Sequence, residues 1–85
     1  MIFRGRVQGV NFRAFAARAA GSLSLDGWVK NLHDGSVEAV FEGAKETVQE
    51  AISRCRTGPS FADVTDVEVE WRPAEGGFYG FSIRY

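Results

Sequence analysis

The sequence predicts an α+β fold in which two helices pack on one face of an antiparallel sheet. Two segments carry apolar residues at helical spacing, and several short segments are β-branched or alternate between apolar and polar residues. Their order along the chain is strand, helix, strand, strand, helix, strand, which is the βαββαβ order of a ferredoxin-like sandwich. A last strand-like run can complete an edge of the sheet or follow the fourth strand as a fifth.

The first half of the chain contains a strand, a helix and a hairpin. Residues 2–7 are largely β-branched or aromatic, which favours an opening strand. Residues 28–32 and 36–41 are strand-like runs on either side of Asp34-Gly35, a strong hairpin signal. The first helix is indicated by apolar residues three and four positions apart: Phe12, Phe15, Ala16, Ala19, Ala20 and Leu23.

The second half contains a helix and two strand-like runs with alternating side chains. Apolar residues at helical spacing predict a helix over residues 44–56 that buries Cys55 as a packing residue. The inward positions of the two alternating runs are Thr65, Val67, Val69 and Trp71, and then Tyr79, Phe81, Ile83 and Tyr85. Because they follow strand periodicity, we expect the aromatic residues of the predicted strands to pack in the core or on the sheet: Trp28, Phe41, Trp71, Phe81 and Tyr85.

The 85 residues are enough for one hydrophobic core and too few for two, so we expect a single domain over residues 1–85. No run approaches the roughly 18 apolar residues of a membrane span, and no leader pattern precedes Ile2. The single cysteine, Cys55, cannot form an internal disulfide. We therefore expect a cytoplasmic monomer with no membrane partner.

Residues 5–13, GRVQGVNFR, place a glycine-bounded loop and an arginine between the first strand and the first helix. Free N–H groups at a helix N-terminus attract anions, and the Arg13 guanidinium matches two phosphate oxygens. A glycine loop alone is more often an ordinary connection. The whole nonapeptide, however, resembles the GxVQGVxFR signature of the acylphosphatase family. The resemblance implies a phosphate-binding loop formed by Gln8, Gly9, Val10, Asn11, Phe12 and Arg13, in which Arg13 holds the substrate phosphate.

A second motif supports the same resemblance from a separate part of the chain. Residues 27–38, GWVKNLHDGSVE, are similar to the family pattern GWVxNxxDGxVE. Considered alone, Asn31 is a strand-end asparagine of the kind that commonly bonds its own backbone. The resemblance implies instead that Asn31 is catalytic and orients the water that attacks phosphorus.

The remaining polar residues suggest no other catalytic chemistry. His33 and Cys55 are single and far apart, so we expect no metal site, and the acids near the hairpin form no evident acid/base pair. An acyl phosphate has a carboxylate leaving group that needs little protonation. The resemblance thus implies hydrolysis of small acyl phosphates by direct water attack, without metal or cofactor, with inorganic phosphate as product and competitive inhibitor.

Two other functions are compatible with the predicted order of elements. RNA-recognition domains share the element order, but residues 36–43, SVEAVFEG, are acidic and lack their basic aromatic pattern, and the pI is about 5.7. We therefore expect no nucleic-acid partner.

Up to Asn31 the chain has five cations and one acid, a local charge of +4 that could steer anions. The alternative that stays open is a non-catalytic module that binds phosphate or another anion.

Overall fold

A computed structural model describes residues 1–74 and 76–85 and contains the predicted elements in the predicted order. The strands are β1 (Ile2–Arg6), β2 (Asp26–Asn31), β3 (Val37–Glu42), β4 (Asp63–Glu68) and β5 (Phe81–Arg84). The helices are α1 (Phe12–Ser22) and α2 (Lys45–Thr57).

The strands form one five-stranded sheet in the order β4-β1-β3-β2-β5. Strands β1 to β4 pair with one another in the antiparallel direction, as predicted. Strand β5 runs parallel to β2, with Lys30 opposite Arg84. The ferredoxin-like α+β fold is confirmed. The sheet is mixed rather than wholly antiparallel because the final run adds to the free edge of β2 in the same direction.

The core lies where the apolar faces of α1 and α2 meet the sheet. Phe3 and Phe12 contact each other there with ring centroids 5.3 Å apart, which joins β1 to the first turn of α1. Cys55 is fully buried in this cluster, and burial raises the pKa of its thiol to about 12. The predicted packing role of Cys55 is confirmed, because a thiol with that pKa stays protonated and weakly reactive near neutral pH.

A β-bulge changes the predicted alternation of the fourth strand. Arg4 pairs with Asp66 but Gly5 pairs with Val64, so Thr65 is an extra residue that has no partner on β1. Gly5 opposite the bulge has a φ of 115°, and a Cβ there would lie 2.1 Å from the carbonyl oxygen of Asp63. The prediction that Thr65 faces inward is therefore wrong: Val64 is half-buried and Thr65 is exposed.

The aromatic residues divide between the core and the surface. Phe41 is buried and stacks on Phe81 with centroids 5.3 Å apart, as expected for sheet packing. Trp71 is 48% exposed and Tyr85 is 98% exposed, so the packing predicted for these two is wrong. Trp71 follows the end of β4 at Glu68, and Tyr85 follows the end of β5 at Arg84, so neither is held on the inner face of the sheet. Within the described ranges, no helix has both the length and the hydropathy needed to cross a membrane.

Candidate active site

Three strands of the sheet run in the same direction, and a cleft lies at their C-terminal ends. Because β1 and β2 are both antiparallel to β3, and β5 is parallel to β2, the C-terminal ends of β1, β2 and β5 point the same way. The cleft at this edge has a volume of about 320 Å³. Its lining residues are Val7, Gly9, Asn11, Phe12, Arg13, Ala14, Asn31, Ile83 and Tyr85.

The loop that leaves β1 turns through two left-handed residues before α1 begins. Gly9 has a φ of 74° and Asn11 a φ of 63°, and Asn11 caps the helix without a side-chain hydrogen bond. The first intrahelical bond runs from the Phe15 N–H to the Asn11 carbonyl at 3.0 Å. The N–H groups of the first helical residues are thus left for another acceptor. The first turn contains no acidic side chain, so the positive end of the helix dipole is not offset there.

Arg13 lies in this first turn and is half-buried. Its Nη1 donates a 3.4 Å hydrogen bond to the Arg84 carbonyl, and its guanidinium carbon lies 4.8 Å from the centre of the Tyr85 ring. Across residues 1–74 and 76–85, no carboxylate forms an ion pair with Arg13. A guanidinium has five N–H donors, so most of them stay available for an anion in the cleft.

Asn31 ends β2 and lines the same cleft as Arg13. Its Oδ1 is buried, and in the part of the chain that the structure describes it has no hydrogen-bond partner. A buried acceptor without a donor is costly, because it has lost its hydrogen bonds to water. Because Asn31 lines an open cleft, its Oδ1 is suited to accept a hydrogen bond from a bound water or ligand.

The predicted phosphate-binding residues do not all contact the cleft. Gly9, Asn11, Phe12 and Arg13 line it, together with Asn31, whereas Val10 packs against the hydrophobic core. The Gln8 side chain points away: its Nε2 donates to the carbonyls of Leu32 and Ser36, at 2.7 and 2.9 Å. The Phe12 ring is buried against Phe3, so its contribution to a ligand would come from the backbone.

Three cleft residues were not predicted from the sequence as site residues: Ala14, Ile83 and Tyr85. The alternation of the last strand places Ile83 and Tyr85 on one face, and by itself it predicts packing on the sheet rather than a site. Only the parallel pairing of β5 with β2 brings that face to the end of the sheet where Arg13 lies. The alternation is visible in the sequence, but only the order of the strands shows that this face borders the cleft.

The charge asymmetry of the sequence is weaker in space than along the chain. Arg4 donates to Asp66 and Glu68 at 3.2 and 3.0 Å, so acids from the second half of the chain offset a cation of the first half. The predicted steering of anions therefore depends on fewer free cations than the sequence suggested, with Arg13 in the cleft itself.

A larger cleft of about 720 Å³ lies elsewhere on the sheet, between Trp28, Phe41 and Trp71. Among its acids, Glu68 is paired with Arg4 and Glu70 with Arg72, and neither Arg13 nor Asn31 lines it. Volume alone therefore does not locate the site, and we place it in the smaller cleft. Across the described ranges, no cluster of three or more His, Cys, Asp or Glu side chains could hold a metal ion.

The protein has a ferredoxin-like α+β fold in which β1 leads through a loop with two left-handed residues into the N-terminus of α1. The chain belongs to the acylphosphatase family, whose model, described as Acylphosphatase, matches residues 1–83. The protein named acylphosphatase in Roseiflexus sp. (strain RS-1) is 54% identical over 79 residues, which are 93% of this chain and 85% of that protein. The acylphosphatase of Rhodopseudomonas palustris (strain BisB5) is 51% identical over 85 residues, 100% of this chain and 82% of that protein.

A solved structure has the same fold. The crystal structure of acylphosphatase from Bacillus subtilis matches with a TM-score of 0.92 and 44% identity, and the match covers 99% of this chain and 93% of that chain. Family membership and these relatives confirm the predicted class of activity: the chain is a hydrolase with acylphosphatase activity.

Proposed function

We propose that this enzyme hydrolyses the carboxyl–phosphate bond of small acyl phosphates by direct attack of water on phosphorus. The observation that carries the proposal is the meeting of two groups in one cleft: an Arg13 guanidinium and a buried Asn31 Oδ1, which among the described residues have no carboxylate partner and no donor, respectively. The first supplies charge for the phosphoryl group, and the second supplies an acceptor for the attacking water.

Arg13 and the loop backbone hold the phosphoryl group in this mechanism. The guanidinium binds two phosphoryl oxygens, and the N–H groups at the start of α1 take the remaining charge. The left-handed conformations of Gly9 and Asn11 curve the loop so that neighbouring amides face one concave surface. Because these donors are fixed before substrate binds, they need little reorganisation as charge shifts in the transition state.

Asn31 positions the nucleophile. Its Oδ1 accepts a hydrogen bond from water, so that the water oxygen faces phosphorus opposite the leaving carboxylate. A bond forms between the water oxygen and phosphorus, the phosphorus–acyl oxygen bond breaks, and the carboxylate leaves with the electron pair. The water protons stay with the phosphate or pass to solvent, so no covalent enzyme intermediate, metal or cofactor is needed.

The test is hydrolysis of benzoyl phosphate by the purified protein in the presence of EDTA. We expect wild-type turnover that is insensitive to EDTA and is lost in Arg13→Ala and Asn31→Ala. Asn31→Ala should lower kcat by about 100-fold or more while inhibition by inorganic phosphate persists, because positioned transition-state donors and acceptors have effects of this size. An Asn31→Ala enzyme that keeps its turnover but loses phosphate inhibition would overturn the assigned roles.

The alternative, a non-catalytic module that binds an anion, is not favoured by the named relatives. Folded wild-type protein that binds phosphate without hydrolysing benzoyl phosphate would restore it. We also propose that the enzyme acts as a single-domain monomer in the cytoplasm, with which the buried free thiol of Cys55 agrees. Size-exclusion chromatography with light scattering tests the monomer, and cell fractionation tests the compartment.

A further inference from the structure

The Gln8 carboxamide joins the loop after β1 to the hairpin between β2 and β3. The Gln8 Nε2 atom donates to the Leu32 carbonyl at 2.7 Å and to the Ser36 carbonyl at 2.9 Å. These acceptors are 24 and 28 residues away in sequence, so the contact connects two parts of the site that are far apart along the chain. Both hydrogens of the amide nitrogen are used, which leaves this nitrogen no donor for a phosphate.

Both acceptors lie on the turn side of the site asparagine. Leu32 follows Asn31 directly, and Ser36 directly precedes Val37, the residue opposite Asn31 in the sheet. The Gln8 amide therefore binds both chains of the hairpin at its turn end, next to the last cross-strand pair. A shift of the hairpin relative to the loop would move the Asn31 side chain relative to the phosphate site.

The hairpin turn is fastened internally by other groups. The Leu32 N–H donates to the Ser36 carbonyl at 2.8 Å, and the Gly35 N–H donates to the Leu32 carbonyl at 3.3 Å. The Asp34 carboxylate accepts from both the N–H and the hydroxyl of Ser36, and these bonds hold the pKa of Asp34 below its usual value. None of these bonds involves Gln8, so the contact that depends on Gln8 is the one between the hairpin and the loop.

We propose that Gln8 is a positioning residue, which sets the location of Asn31 relative to the phosphate-binding loop without itself contacting substrate through its side chain. The inference rests on the proposed function, because it gives Gln8 its effect through the water-orienting role of Asn31. The two parts of the loop then have different roles: its main chain binds the anion, and the Gln8 side chain aligns the nucleophile.

The first test is Gln8→Met, which keeps the length of the side chain and removes its donors. We expect kcat for benzoyl phosphate to fall about 10- to 100-fold, since a displacement of about 1 Å in a reacting group has effects of this order. The Ki of inorganic phosphate should change less than about 3-fold, a change equivalent to under 1 kcal/mol. Gln49→Met, at the exposed glutamine of α2, is the matched control and should leave both constants unchanged.

Loss of folding is separated from loss of positioning by a second variant and by thermal unfolding. Gln8→Glu keeps the size of the side chain but turns a carboxylate oxygen toward two carbonyls, so kcat should fall at least as far as in Gln8→Met. Each variant is assayed well below its own unfolding midpoint. A variant whose Ki for phosphate rises while its kcat is unchanged would overturn the proposal, because the Gln8 side chain would then be a phosphate ligand.

A double-mutant cycle separates this inference from the proposed function. If Gln8 acts through Asn31, Gln8→Met should cost little further kcat in the Asn31→Ala background. Additive losses would overturn the positioning role while leaving the roles of Arg13 and Asn31 intact. Full turnover by Asn31→Ala alone would instead overturn the proposed function. If Asn31→Ala turnover is undetectable, the NMR signal of the wild-type Asn31 side-chain amide decides: it should shift in Gln8→Met and not in Gln49→Met.

Discussion

The two helices of this fold begin in similar surroundings, yet only α1 has the features of an anion site at its N-terminus. Both first turns contain a cation that lies against an aromatic ring: Arg13 is 4.8 Å from the Tyr85 ring centre, and Lys45 is 5.4 Å from that of Trp71. Neither N-cap residue makes a side-chain capping bond. The first turn of α2, however, contains Glu46, and the first turn of α1 contains no acid.

The two helix N-termini therefore differ although each has a nearby cation, and the difference lies in the shape of the entering chain and in the charge of the first turn. At α2 the chain enters the helix through an extended Ala44, and the carboxylate of Glu46 offsets the positive end of the dipole. At α1 it enters through left-handed Gly9 and Asn11, with no acid in the first turn. Loop shape and the absence of a competing carboxylate therefore distinguish the two helix ends, and each can be altered separately.

The largest effect is expected at the cation of α1. Arg13→Ala should weaken inhibition by inorganic phosphate by about 2–5 kcal/mol, roughly 30- to several thousand-fold, because it removes a partly desolvated charge partner. Arg13→Lys should recover little, since an ammonium cannot bind two oxygens in a fork. Phosphate inhibition of benzoyl phosphate hydrolysis, or calorimetry where turnover is lost, measures the change. Lys45→Ala is the control at α2, and an equal loss there would contradict the comparison.

An added acid should make α1 resemble α2. Ala14→Glu places a carboxylate in the first turn and in the cleft lining, where it repels phosphate and offsets the dipole. We expect the Ki of phosphate to rise about tenfold or more, a modest part of the roughly 4 kcal/mol between unit charges 4 Å apart near a protein surface. Ala17→Glu, one turn later on the same helix and also half-buried, is the control. Equal effects of the two variants would show that the charge acts at long range rather than in the cleft.

The shape of the loop is tested at its glycine. A Cβ on Gly9 would meet no atom within 4 Å, so Gly9→Ala adds only the cost of a left-handed alanine, about 1–2 kcal/mol. Gly76→Ala is matched, because Gly76 has a φ of 76° and is equally open. Both variants should lose similar free energy of unfolding in denaturant titrations, but only Gly9→Ala should weaken phosphate inhibition. Unchanged inhibition in Gly9→Ala would contradict the expectation that the anion site depends on a glycine at this position.

The smallest effect is expected at the acid of α2. Glu46→Gln removes a favourable interaction with the helix dipole and should lower the free energy of unfolding by about 0.3–1 kcal/mol at low salt. It should not create phosphate affinity at α2, because the extended entry through Ala44 is unchanged. Chemical denaturation measures the first result, and phosphate titration of the Arg13→Ala, Glu46→Gln double variant measures the second. Phosphate binding by that double variant would mean that charge alone makes the site.

The sequence predicted the element order correctly because that order depends on local signals, whereas the site residues followed from the resemblance of two motifs to the family. Glycines, an apolar period of three to four residues and an Asp-Gly turn act over a few positions each. Predictions that required knowledge of distant neighbours were less accurate. Thr65 does not take the face that the alternation predicts, because a bulge opposite Gly5 shifts the register of β4. The loop motif likewise does not predict that the Gln8 side chain reaches the hairpin.

By itself, the sequence determined the ferredoxin-like order, the family and the two residues proposed for catalysis, Arg13 and Asn31. The tertiary structure decided how these residues meet, because strand order and direction depend on pairing between segments far apart in the chain. The parallel addition of β5 to β2 brings Tyr85 over Arg13, and the Gln8 bonds fasten the hairpin of Asn31 to the loop. Such contacts leave no periodic trace in the sequence, since each depends on where a distant backbone lies.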